Sequence, residues 1–465
     1  MTKQKRVLSV FSLVMINVIA VDSLRTLPIT AKLGYSLIFY YLVAALAFFI
    51  PVALVSAELA TAFPETGGIY IWVREAFGRK AGFMTIWLQW IYNVVWYPTI
   101  LVFLASTITY LFAPELANNK LYLFISTICF FWIFTLLNCY GMKISGIIST
   151  ISATVGTLLP IIGIACLGIF WLSLDEPVAI SFNGNWLPNF TEFGHLTLFS
   201  AVLFSLFGIE MSSVHAEEVK NPQRDYPRAL FYSTILILIS LVTGALAIAL
   251  VVPEANLNVV SGLIDAYSIF FKAFHISWMT PITAGLIVIG GLGAVAAWII
   301  GPTKGLLVAA RDNCIPHVFS TVNKHGVPVA LLLAQGLIVT LISTVFVFFD
   351  NISSAYWMLS DLCAQLALLV YVFMFAAALR LRYIKSFQQG AYKVPGGNAM
   401  MWFLCSLGII CCLSTIAIGF VPPSQIDVGN IWMFEGFLIG GLVVFVVLPW
   451  LLAKKNEPIS KDTNQ

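Results

Sequence analysis

Apolar residues run in long blocks separated by short polar intervals, and the blocks are long enough to predict helices that cross a bilayer. A hydrocarbon core takes about 20 consecutive apolar residues in helical form. Twelve stretches reach that length: 7–31, 35–60, 82–112, 121–140, 147–173, 197–216, 229–252, 280–309, 328–349, 355–379, 399–421 and 432–452. Two of them are interrupted. The segment from Phe204 to His215 is broken by Gly208 and carries the carboxylate of Glu210, and the segment from Asn17 to Pro28 contains Asp22 and Arg25. In hydrocarbon, the backbone groups freed by a broken helix must find partners, so a break survives only inside protein or beside a polar cavity. Two interrupted spans in corresponding places of two halves are the pattern of a secondary transporter's binding site.

Composition agrees with this reading. Hydrophobic residues make up 60% of the 465 and charged residues 10%, with a mean hydropathy of +0.95, against about 45–50% and 25% in soluble domains. The expected architecture is an all-α integral membrane protein of twelve transmembrane helices. Lys3, Lys5 and Arg6 lead directly into the first apolar run with no small-residue cleavage site, so that run is read as a retained span. Of the 24 Lys and Arg, 20 fall at the ends and loops that this start assigns to the inside, while Lys120 and Lys272 lie outside and Arg25 and Lys32 belong to the first span and its outer end. By the positive-inside rule both termini are expected to be cytoplasmic. The net charge of +3 follows from this loop bias and does not suggest nucleic acid.

The eight cysteines are scattered without metal-ligand spacing, and the neighbours Cys411 and Cys412 cannot form an ordinary bridge. The histidines have no ligand partners at metal spacing. No metal and no cofactor is expected; the partners are the lipid bilayer and a small-molecule substrate, and no pattern specifies an oligomer. A nucleophile–base constellation of the kind an enzyme needs is not visible.

Asp22 and Arg25 are three residues apart, close enough in a helical turn to pair. Such a pair is either structural or a device for substrate and proton handling, since ionisable groups at membrane depth usually face a cavity or each other. Gln89, Asn93 and Trp96 share one face of the third span; helix-to-helix glue is the favoured account and pocket lining the alternative. Glu210 is either a helix-end cap or a gate. Asp361 and Glu435 sit near the outer ends of their spans and read as solvated. Ser145, Ser149, Ser152 and Thr154 make the fourth and fifth spans look like packing surfaces, and the small residues from Gly290 to Ala297 let the eighth span approach its neighbours closely. That stretch, from Gly290 to Gly301, holds no Ser or Thr.

Several segments resemble the amino acid–polyamine–organocation transporter superfamily. Glu58, Pro64, Gly67 and Gly68 with the aromatics after them match its marking of the end of the second span. Phe207-Gly-Ile-Glu210, followed by Glu-Val-Lys-Asn-Pro-Gln-Arg-Asp-Tyr-Pro between Glu218 and Pro227, matches its central segment almost letter for letter. Trp298-Ile-Ile-Gly-Pro-Thr-Lys-Gly305 and Asn323-Lys-His-Gly-Val-Pro-Val329, with Val394-Pro-Gly-Gly397 and Phe420-Val-Pro-Pro423, are similar to the bacterial glutamate/γ-aminobutyrate antiporters in particular. The resemblance runs from about residue 7 to 452.

It implies a LeuT-type fold: an inverted repeat of five plus five helices, 1–173 and 197–396, with two further helices in 397–452 and a short cytoplasmic tail, 453–465. It also implies a substrate site at the two breaks, made by Val21, Asp22 and Ser23 and by Phe204, Ser205, Gly208 and Ile209. Phe204 stands at the place of an aromatic gate, Glu210 at that of a gate carboxylate, and Trp298 at that of an aromatic lining the pocket. The implied function is alternating-access amino-acid transport in a bacterial inner membrane, by exchange or proton coupling; sodium-coupled relatives need hydroxyl side chains on the eighth span, and their lack from Gly290 to Gly301 predicts sodium independence. Two features depart from the pattern. Glycines common at the first break are replaced around Asp22, whose charge would repel a substrate carboxylate and favour a cationic amino acid or a polyamine unless Asp22 is protonated or Arg25 neutralises it. The chain also stops about a dozen residues after the last span, so the plugging tail of those antiporters is not expected.

Overall fold

The computed structural model describes residues 9–63, 68–140, 154–174, 176–180, 186–191, 193–210, 219, 221–312, 314–349, 351–384 and 392–452. Among these, the regular elements are helices. Eleven are long and apolar enough to cross a membrane. They correspond to all the expected spans except the sixth, where the long helix is missing because the segment stops early: Phe199–Ser205 is followed by a turn at 206–208. That span therefore contains the break read from Gly208.

Helices that share a lipid solvent gain little from hiding apolar surface, so close packing and internal polar bonds decide which of them sit inside. The third span, Arg79–Leu111, and the tenth, Ile352–Ile384, are the interior ones, with 78% and 72% of their apolar windows buried, whereas the twelfth, Ile431–Leu451, is peripheral at 11%. The third span packs on both the eighth, Met279–Arg311, and the tenth. Where the fifth span meets the eighth, a Cβ on Gly156 would lie 2.2 Å from the Cα of Gly290, so the backbones touch and any larger residue would part them. Leu104 of the third span fills the space beside Gly291 in the same way. Ser145, Ser149 and Ser152 lie outside the described residues.

Two spans contain a π turn immediately before a proline: Ala45–Phe49 ahead of Pro51, and Thr154–Leu158 ahead of Pro160. Proline removes a donor and crowds the carbonyl four residues back, and one widened turn accommodates both effects.

The helix Gly262–Ala273, between the seventh and eighth spans, falls where a loop is expected. It buries Leu263, Tyr267, Phe270 and Phe271 and leaves Lys272 exposed, an amphipathic face too short and too polar to register as a span. The hydroxyl of Tyr110 at the end of the third span donates to Asp265 on this helix.

Candidate functional site

The first span runs as a regular helix from Val10 to Val21 and stops at Asp22, whose ψ of 110° is extended. Ser23 is extended as well, and the chain resumes as a short 3-10 turn, Leu24–Thr26, leading into Leu27–Ala31 with Pro28 in its first turn. The amide of Asp22 closes the helix on Val18. Beyond that bond, among the described residues, the carbonyls of Ile19, Ala20 and Val21 receive no backbone donor, and the N–H groups of Ser23, Leu24 and Arg25 find no backbone acceptor. Thr26 ties the far side of the gap by donating to the Ser23 carbonyl at 2.7 Å. Free acceptors and free donors thus stand side by side within the membrane depth.

The second break is held by one tyrosine. Gly208 has φ of +111°, a conformation open to glycine and strained for other residues. Its N–H donates to the hydroxyl of Tyr371 at 3.1 Å, and that hydroxyl donates to Oε2 of Glu210 at 2.9 Å. Tyr371 comes from the tenth span and is itself packed edge-on against Phe48, at 5.0 Å between ring centroids, and against Phe207 at 5.1 Å. Glu210 is 2% exposed and does not line the cavity described next. His215 and the motif residues from 211 to 218 lie outside the described residues.

The two breaks face each other. A Cβ on Gly208 would come within 3.2 Å of the Ala20 carbonyl oxygen, so the glycine permits the contact between the first and sixth spans. Between and beside them lies a cavity of about 120 Å³, well above the roughly 10–15 Å³ that one water needs. Its lining includes Ile19 through Arg25 from the first span, Tyr92, Asn93 and Trp96 from the third, Phe204, Phe207 and Gly208 from the sixth, and Trp298 from the eighth. Trp96 and Trp298 stand 6.1 Å apart between centroids and form an aromatic wall.

Most of the residues picked from the sequence meet here: Val21, Asp22, Ser23, Arg25, Asn93, Trp96, Phe204, Gly208 and Trp298. Ser205 points elsewhere, sharing a hydrogen bond of 2.9 Å with Tyr41 of the second span. Ile209 is fully buried and Gln89 lies one turn below the lining; neither borders the cavity. Asn93 donates to the Gln89 carbonyl at 2.7 Å, so its amide is turned along its own helix.

The expected pairing of Asp22 with Arg25 is not made. The helix ends between them, which removes the turn that would have stacked one on the other, and each has a different partner. Both carboxylate oxygens of Asp22 accept from the hydroxyl of Ser240 on the seventh span, at 3.0 Å each. Arg25 is 2% exposed, with its guanidinium carbon 4.5 Å from the centroid of Phe204 and 5.9 Å from that of Trp96. Asp361 also departs from expectation: instead of being solvated it is 1% exposed, takes a bond of 2.7 Å from Gln365, and sits against Gly419 of the eleventh span.

Tyr371, Tyr356 and Ser240 were not singled out from the sequence. Each is a residue type common in helices, and its role depends on long-range contacts that no spacing along the chain reveals. At the end of the molecule that carries Glu58, Arg382 donates to that carboxylate at 3.1 Å and the N–H of Val394 at 2.6 Å, and Tyr70 donates to Asp312 at 2.5 Å.

Comparison with known proteins bears on what such a cavity carries. The family model described as amino acid permease matches residues 6–445. An uncharacterised transporter of Legionella pneumophila is 64% identical over 98% of each chain. A glutamate/gamma-aminobutyrate antiporter of Lactococcus lactis is 28% identical, covering 99% of this chain and 92% of its own. A probable agmatine/putrescine antiporter of the same species is 25% identical over 100% and 99%.

Proposed function

This chain belongs to the amino acid permease family, and from that premise we propose that it is a sodium-independent amino-acid exchanger that binds its substrate between the two broken spans. The observation that carries this reading is the set of unbonded main-chain groups facing the cavity. Unpaired carbonyls at Ile19 to Val21 suit an α-ammonium group, and unpaired N–H groups at Ser23 to Arg25 suit an α-carboxylate. Phe204, Trp96 and Trp298 wall the remaining space. Tyr371 holds the sixth-span break through Gly208 and Glu210.

In this reading the halves 1–173 and 197–396 rock about the site, with 397–452 flanking them, and expose the cavity to each side in turn. The chain acts as a carrier and not as an enzyme. Its basic loops support an orientation with both termini in the cytoplasm, and the reading takes the membrane to be a bacterial inner membrane. A second reading, a carrier of cationic amino acids or polyamines, is favoured by one observation: Asp22 is among the cavity residues. It also agrees with the activity in the name of one relative, the probable agmatine/putrescine antiporter.

Counterflow in proteoliposomes tests both. The vesicles are loaded with the twenty amino acids, γ-aminobutyrate and putrescine, and uptake of each labelled compound is followed at acid and neutral pH with and without a sodium gradient. Exchange of an amino acid without sodium stimulation supports the proposal. Exchange of putrescine alone supports the second reading, and exchange of none of them rules out both.

A further inference from the structure

Arg25 is a buried cation with no anion beside it among the described residues. Among the described residues no carboxylate lies within ion-pair distance of its guanidinium, and Asp22, its nearest acidic neighbour in the chain, is engaged by Ser240. What Arg25 has instead is a clamp. Its Nη1 donates to the Tyr356 hydroxyl at 3.5 Å while that hydroxyl donates to the Arg25 carbonyl at 3.0 Å, and the guanidinium lies over the Phe204 ring. These contacts fix the plane of the fork and engage one of its donors; Nε has no acceptor at all. A buried charge is ordinarily paired, and the guanidinium fork is the side chain best shaped for two-point binding of a carboxylate.

Asp22 and Arg25 are the charged residues in the cavity lining among the described residues. With Asp22 tied to the seventh span and main-chain groups available for the α-substituents, the fork is left for the far end of the substrate. We propose that Arg25 is the specificity-determining residue of the site, binding an anionic group on the substrate's side chain, so that the preferred amino acid carries a net negative charge. A cationic side chain would bring a second positive charge beside Arg25 and is excluded by it. The proposal rests on the cavity being the transport site.

The test compares labelled L-glutamate with L-glutamine, its neutral isostere, and with L-arginine, in proteoliposomes of the full chain loaded with all twenty amino acids. Wild type, Arg25→Gln and Arg25→Lys are compared, with elution as a single folded peak required of each. The expected result is at least a tenfold preference of wild type for glutamate over glutamine, abolished in Arg25→Gln and retained at a higher KM in Arg25→Lys. Wild-type exchange that favours glutamine or arginine overturns the assignment of Arg25 while leaving the exchanger reading intact, and this outcome does not depend on any variant folding. An Arg25→Gln protein that loses glutamate and glutamine exchange in equal proportion also overturns it, because that pattern belongs to a group binding the shared α-carboxylate. Absence of exchange of every amino acid removes the exchanger reading and the inference together.

Discussion

The guanidinium carbon of Arg25 stands 4.5 Å from the ring centroid of Phe204, so a side chain from each interrupted span meets the other across the cavity. A cation held over an aromatic face is worth on the order of 0.5–2 kcal/mol depending on how dry the site is. The contact joins the two breaks by more than backbone proximity.

Removing that ring should therefore impair transport more than folding. Phe204→Ala, and separately Trp298→Ala in the same lining, are expected to lower the exchange rate at least tenfold while the purified proteins elute and melt close to wild type. Unchanged exchange in a well-folded variant takes that residue out of the site.

The partner of Asp22 is expected to be measurable as a coupling energy. Double-mutant cycles on unfolding should give about 0.5–3 kcal/mol between Asp22→Asn and Ser240→Ala, the range for residues in contact, and within about 0.5 kcal/mol of additivity between Asp22→Asn and Arg25→Gln. The reverse ranking would restore the ion pair that the spacing of Asp22 and Arg25 suggests.

Gly208→Ala places a Cβ at φ of +111° and against the Ala20 carbonyl. Strain of this kind costs about 1–3 kcal/mol, and relieving it requires the breaks to separate. A lowered unfolding temperature with loss of exchange is expected, whereas Gly436→Ala, which meets nothing and has no unusual φ, should be silent in both measurements. An active, stable Gly208→Ala protein would mean that the close approach is dispensable.

The legibility of the chain was uneven for physical reasons. A span needs length and apolarity, both local properties, so the long helices could be read directly. A break also leaves a local mark, in Gly208 and in charges at membrane depth, so the two interruptions could be read directly, whereas the lining by Val21, Ser23, Phe204 and Trp298 was reached only through the resemblance to the transporter superfamily. Partnerships were not. Asp22 and Arg25 look like a helical pair because spacing assumes that the helix continues through the interval where it stops. Tyr371 carries no mark that separates it from any other tyrosine of a buried helix, although it joins Gly208 to Glu210 from 161 residues away. Asp361 looked solvated because its position near a span end says nothing about the helices packed around it.

Tyr371→Phe keeps the ring and deletes the hydroxyl that serves both Gly208 and Glu210. A buried donor and a buried carboxylate then lose one partner each, at about 1–3 kcal/mol. Thermal unfolding should shift down by more than for Tyr383→Phe, whose ring is exposed, and exchange should fall. Equal shifts would show that the hydroxyl does not hold the break.

Substrate protection of the first break tests the central claim most directly. In a functional background with the eight native cysteines replaced, Ser23→Cys is labelled by a small thiol reagent in proteoliposomes with and without saturating exchanged amino acid. If the substrate sits between the broken spans, its presence slows labelling at Ser23→Cys severalfold and leaves a loop control, Thr321→Cys, unchanged. A rate at Ser23→Cys that is the same with and without the substrate would contradict the account.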